Sequence, residues 1–153
     1  MVDFASIASK KVEEVERPPL PPVGTYRFRV MKVPESTKSQ DEQWEFLRFN
    51  CRVVEPMDNV EISDYPGDVS NIMLSKSFVF NTQDEAAFET TLFQVRQFCE
   101  KHLQCVEPGM SIAEMLNNSV NAEFLGDVRW QQDKRDQSGE TFNAEIGRTA
   151  PVE

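Results

Sequence analysis

The chain has 153 residues, 39% of them hydrophobic and 27% charged, which suits one domain with a real core and lies outside the composition of disordered chains. The formal net charge of −10 argues against a nucleic-acid partner if taken whole, and one histidine with three cysteines lacking C-x-x-C spacing argues against zinc. No apolar run approaches the roughly 18 residues a membrane span needs and the N-terminus shows no h-region, so a cytoplasmic protein with reduced thiols and no membrane contact is expected.

Residues 1–23 read as an N-terminal arm, partly flexible and proline-rich. "KKVEEVE" suits a short helix, and "RPPLPP" holds an extended, stiff conformation. "GTYRFRVMKV" (24–33) alternates and predicts the first strand, with Tyr26, Phe28 and Val30 on one face and Arg27, Arg29 and Met31 on the other. "PESTKSQDEQ" (34–43) reads as a polar turn. "WEFLRFNCRVV" (44–54) predicts the second strand. Its inner face is Leu47, Phe49, Cys51 and Val53, and its outer face is Trp44, Phe46, Arg48, Asn50 and Arg52. Residues 56–71 are too long for a hairpin turn and lack periodicity. "IMLSKSFVFN" (72–81) predicts the third strand.

From residue 82 the period changes. Phe88, Leu92, Val95, Cys99 and Leu103 form one stripe of an amphipathic helix, with Thr82 and Glu85 at capping-box spacing. Pro108-Gly109 ends that region, and Ser111 with Glu114 offers a second capping box for a short helix over 111–117. Residues 119–130 predict a fourth strand, 131–140 a turn loop, and 141–147 a fifth strand with Phe142, Ala144 and Ile146 together.

The order β-β-β-α-β-β over residues 24–150 predicts a single mainly β domain. The expected fold is a five-stranded OB-fold, a β-barrel with one central helix closing its bottom. An α+β roll and a β-sandwich are the alternatives, and the long helix weighs against the sandwich.

The "PPVGTYRFRV" opening, the "PESTKS" turn and the "FNAEIGRTAP" end resemble a family of small phage-encoded OB-fold proteins, similar to single-stranded-DNA-binding proteins. The resemblance covers roughly residues 20–150. It implies a role in protecting and organising single-stranded DNA during phage replication or recombination, in the host cell cytoplasm. Many single-stranded-DNA-binding proteins end in an acidic docking tail. This sequence closes on "RTAPVE", so tail-mediated contact is not expected.

Single strands need cations along the backbone path and flat faces for unstacked bases. The outer face of the 44–54 strand offers Trp44 and Phe46 beside Arg48 and Arg52, and the first strand adds Arg27 and Arg29. The loops flanking an OB groove carry Lys38 and the pair Lys134 and Arg135. Lys76 shares a strand face with Phe78 and Phe80, whose direction, core or groove, stays open, as does plug or stacking for Trp130. The competing reading makes the cations solvent cover whose stems shield apolar surface.

Residues 24–54 carry six Lys/Arg against four Asp/Glu, whereas 55–69 carry five acids and no base, so the total charge hides a dipolar surface. There is no Walker loop, G-x-S-x-G or H-E-x-x-H, and the acids crowd one loop instead of converging at strand ends. The expectation is a non-enzymatic, sequence-independent single-stranded-DNA binder without metal or cofactor. Replication or recombination proteins, or a second copy of the chain, are candidate further partners. The alternative is an acidic OB-like interaction module or DNA mimic that docks a replication, nuclease or host-defence protein. The off-stripe Phe93 and the proline-rich arm favour it.

Overall fold

A computed structural model describes residues 4–8, 11–12, 19–133 and 142–152. After a four-residue turn of helix, α1 (Phe4–Ile7), come strands β1 (Gly24–Val30), β2 (Glu35–Lys38), β3 (Trp44–Pro56) and β4 (Met73–Asn81). Helices α2 (Glu85–Gln97) and α3 (Ile112–Asn118) follow, then β5 (Glu123–Gln132) and β6 (Phe142–Pro151). The protein is mainly β, and its six strands form one antiparallel sheet.

The 13-residue β3 organises this sheet. Its residues 44–52 pair with β4 along one edge. Its other edge takes β2 at 45–48 and β1 at 51–56. β1 pairs in turn with β5, and β5 with β6. Two expectations need correction. The polar 34–43 segment contains β2, and the observed order is four strands, two helices and two strands. β2 has no apolar alternation, since all four of its residues are exposed; the edge of β3 recruits it through backbone hydrogen bonds. The sheet is also open, not a closed five-stranded barrel. β4 and β6 approach each other without a ladder, and Lys76 Nζ reaches across to the Gly147 carbonyl at 3.1 Å.

The alternation read from sequence packs the core. Tyr26, Phe28 and Val30 of β1 meet Leu47, Phe49, Cys51 and Val53 of β3, with Phe124 and Val128 of β5. Phe28 and Phe124 stack at 5.6 Å between centroids. Gly24 has φ +147°, and a Cβ there would lie 2.7 Å from Val60 Cγ2, so only glycine admits Val60 of the 57–72 loop to the core.

α2 packs through the predicted stripe. Val95, Cys99 and Leu103 are buried, and Phe88 and Leu92 pack at the margin. Its end widens into a π turn over Phe98–His102. Phe98 lies off the stripe yet is buried and touches the rings of Phe49, Phe78, Phe124 and His102. The N-cap is Asp84, whose carboxylate accepts from Ala87 N at 3.1 Å, so the expected Thr82–Glu85 box is not used. The second box is used: Ser111 Oγ accepts from Glu114 N at 3.1 Å and donates to Glu114 Oε1. β5 starts at Glu123 instead of 119, because 119–122 is the turn that leaves α3, with Asn121 at φ 70°.

All three cysteines are buried and free. Burial pushes the Cys51 thiol up to about 12, the behaviour of an inert structural thiol. Among the described residues no helix is long and apolar enough to cross a membrane.

Candidate nucleic-acid interface

The outer face of β3 is as the alternation requires. Trp44, Phe46, Arg48, Asn50 and Arg52 share it. Residues directly opposite in an antiparallel pair share a face. β4 therefore sets Asn81 beside Trp44, Val79 beside Phe46, Ser77 beside Arg48, Ser75 beside Asn50 and Met73 beside Arg52. Trp44 is 38% exposed, Val79 45% and Met73 54%. β4 contains no acidic residue, so this side of the face holds apolar and hydrogen-bonding groups but no counter-charge.

Trp44 is fixed at the strand's start by the tight 39–43 turn. Its backbone N–H donates to Ser39 Oγ at 3.1 Å, and the Ser39 hydroxyl donates to Asp41 Oδ1 at 2.6 Å. The Ser39 hydroxyl and the Gln43 N–H hold the Asp41 carboxyl below its usual range. Further along β3, Arg48 is exposed and opposes Ser77 on one side and Glu35 on the other, and Glu35 pairs with Lys32 at 3.3 Å. Arg52 donates from Nε to the Ser70 carbonyl at 2.8 Å and from Nη2 to Asn71 Oδ1 at 3.0 Å. Neutral acceptors thus aim this guanidinium, and the Asp68 carboxylate lies near enough to feel its charge.

Arg27 and Arg29 are in a different position. Both close on Glu123 of β5: Arg27 Nη2 lies 2.5 Å from Oε1 and Arg29 Nη2 2.6 Å from Oε2. Hydrogen bonds from Arg29 and then Arg27 hold the Glu123 carboxyl below its usual range, and its side chain is only 18% exposed. Arg27 also lies 3.7 Å from Glu55. Sequence patterning missed Glu123 because it lies 94 residues from Arg29, at the start of a strand whose register only folding sets.

Lys38, Lys76, Phe78, Phe80 and Trp130 do not join the face. Lys38 opposes Glu45, which alternates with Phe46 and so stands on the Leu47 side of β3. Lys76 points inward, 5.6 Å from the Phe78 ring centroid, and burial followed by the charge of Arg129 lowers its pKa. Phe78 and Phe80 face the core. Lys134 and Arg135 lie outside the described residues. Trp130 turns to the arm, where its Nε1 donates to the Pro21 carbonyl at 2.7 Å. Tyr26 does likewise to Pro22 at 2.6 Å, and burial pushes its phenol up to about 12.

His102 shares a hydrogen bond with the Thr149 hydroxyl at 2.7 Å and lines the β4–β6 seam. The acidic loop reaches the platform through its 68–71 turn. Asp68 caps Ser70, the residue whose carbonyl receives Arg52. Among the described residues no group of three His, Cys, Asp or Glu is placed to hold a metal ion. Neither a scan against models of known families nor a search of curated proteins finds a match for this chain.

Proposed function

We propose that the protein is a non-enzymatic binder of single-stranded DNA whose platform is the outer face of β3 and β4. One observation carries the reading: Arg48 and Arg52, neither in a salt bridge among the described residues, stand on the same strand face as Trp44 and Phe46, beside an acid-free β4. Aromatic faces accept unstacked bases without reading them, and guanidinium groups neutralise phosphates. From Trp44 to Arg52 the strand runs about 26 Å at ~3.3 Å per residue, which suits the ~4 nucleotides at the lower end of OB-fold site sizes.

The finer fold assignment belongs to the same proposal. With β1 and β2 taken as one strand broken at Pro34, the pairings are those of a partly open OB barrel. The resemblance noted above supplies the setting, phage DNA replication or recombination in the host cytoplasm. A second reading, a protein-docking module, has Phe93 in its favour, 56% exposed on the solvent side of α2.

Titrating the protein with oligo-dT, followed by tryptophan fluorescence at several salt concentrations with duplex as competitor, tests the proposal. Saturable binding that weakens with salt and resists duplex is expected. A flat salt dependence, or preference for duplex, overturns it.

A further inference from the structure

Arg29 of β1 and Arg52 of β3 stand directly opposite each other in the β1–β3 register. Like charges in that arrangement are destabilising. Both line one cavity of about 260 Å³, with Met31, Val53, Val54 and Ser70. The cavity lies next to the β-bulge that displaces Val54.

Each guanidinium is oriented and incompletely used. Arg29 commits Nε and one Nη2 N–H to Glu123, and Arg52 commits Nε and one Nη2 N–H to Ser70 and Asn71. A guanidinium has five donors, so three remain on each. The Glu123 carboxylate serves both Arg27 and Arg29, Glu55 meets Arg27 alone, and Arg52 donates to neutral acceptors with Asp68 nearby, so the Arg29–Arg52 pair shares one directly hydrogen-bonded carboxylate between two guanidinium groups.

We propose that Arg29 and Arg52 form a two-guanidinium site for one phosphate group at the end of the platform remote from Trp44. Two aimed forks match the oxygens of a tetrahedral phosphate, and the bound anion removes the repulsion between the opposed arginines. The site rests on the functional reading above only for the source of the phosphate, a nucleic-acid backbone. A free phosphate would offer the same chemistry.

Nε–Hε signals of arginine in ¹⁵N-labelled protein test it. Inorganic phosphate, added against sodium chloride of equal ionic strength, is expected to shift Arg29 and Arg52 saturably and leave Arg96 and Arg129 in place. Oligo-dT is expected to move the same two signals at lower concentration, and an oligomer with uncharged methylphosphonate linkages to leave them. Arg52→Lys keeps the charge and loses the fork. Its phosphate affinity should fall by about tenfold while its amide spectrum shows the fold intact. Uniform or absent shifts with phosphate overturn the site, as does an Arg52→Lys protein that binds phosphate like the wild type. If inorganic phosphate shifts both arginine signals but oligo-dT quenches tryptophan fluorescence without moving them, the site stands for a free phosphate and the nucleic-acid backbone falls as its source. If phosphate shifts them and oligo-dT binds nowhere, the site stands and the nucleic-acid reading falls.

Discussion

The Phe98 ring meets the Phe49 ring edge-on, with centroids 5.1 Å apart and planes at 77°, and so joins the π turn after α2 to the central strand of the sheet. Phe98 is 3% exposed, whereas Phe88, three turns earlier, is half-buried and meets the Phe80 ring at 4.8 Å. Phe98→Ala is expected to cost about 3–5 kcal/mol through the cavity left among four rings, and Phe88→Ala less. Urea denaturation of both variants checks the order; an equal or reversed cost would place the anchor of the helix elsewhere.

The platform's two components obey different physics. Trp44→Ala should weaken oligo-dT binding by roughly 1–3 kcal/mol and leave the salt slope nearly unchanged. Arg48→Ala should instead lower the magnitude of the log–log salt slope by about 0.7, one phosphate contact on a single strand. Fluorescence titrations of the two variants across a salt series separate these signatures. A folded Trp44→Ala protein with intact affinity would remove β3 as the platform.

Glu123 competes with any phosphate for Arg27 and Arg29. Glu123→Gln keeps a neutral hydrogen-bonding group and frees that charge, so oligo-dT binding should strengthen and its salt slope steepen. The same titration reads the result, and unchanged affinity would show that these arginines never meet the strand.

The pH dependence of stability has two windows. His102 has its pKa lowered from 6.5, by burial and then by Lys76, so its contribution is fully present above 6.5 and is lost as pH falls through the folded-state value. Glu123, lowered from 4.5, contributes above 4.5 and loses that contribution as pH drops further. Urea midpoints measured from pH 8 to pH 3 should show both declines. His102→Gln should flatten the first alone, and Glu123→Gln should shrink the second, which the lowered Asp41 and Asp68 carboxyls share.

Asp68 is the carboxylate that the 68–71 turn brings close to Arg52. Asp68→Asn preserves an oxygen for the Ser70 N–H and removes the charge. Oligo-dT affinity should rise at low salt and converge with wild type at high salt, as screening requires. A gain that persists at high salt would mean that the loop obstructs by shape instead of charge.

Much of the candidate site was legible in one strand. The alternation in 44–54 put Trp44, Phe46, Arg48 and Arg52 on one face, and the structure keeps them there, because a two-residue period leaves no other choice once Leu47, Phe49 and Cys51 are buried. The helix stripe from Phe88 to Leu103 was legible for the same kind of reason.

Other features depend on which strands become neighbours. β2 carries no hydrophobic signal and exists because β3 offers it an edge. Phe98 sits off the stripe, and the π turn brings it into the ring cluster. The alternation leaves the face of Lys76 open, core or groove, and the unpaired seam between β4 and β6 draws it inward to Gly147. Sequence patterning located the arginines, and only the tertiary register decided their hydrogen-bonding partners and counter-ions. It gave Arg27 and Arg29 a shared carboxylate and Arg52 a backbone carbonyl and an amide. Periodicity is a local property of the chain, whereas counter-ions come from strand pairing across about a hundred residues, where loop closure and core packing choose the partner.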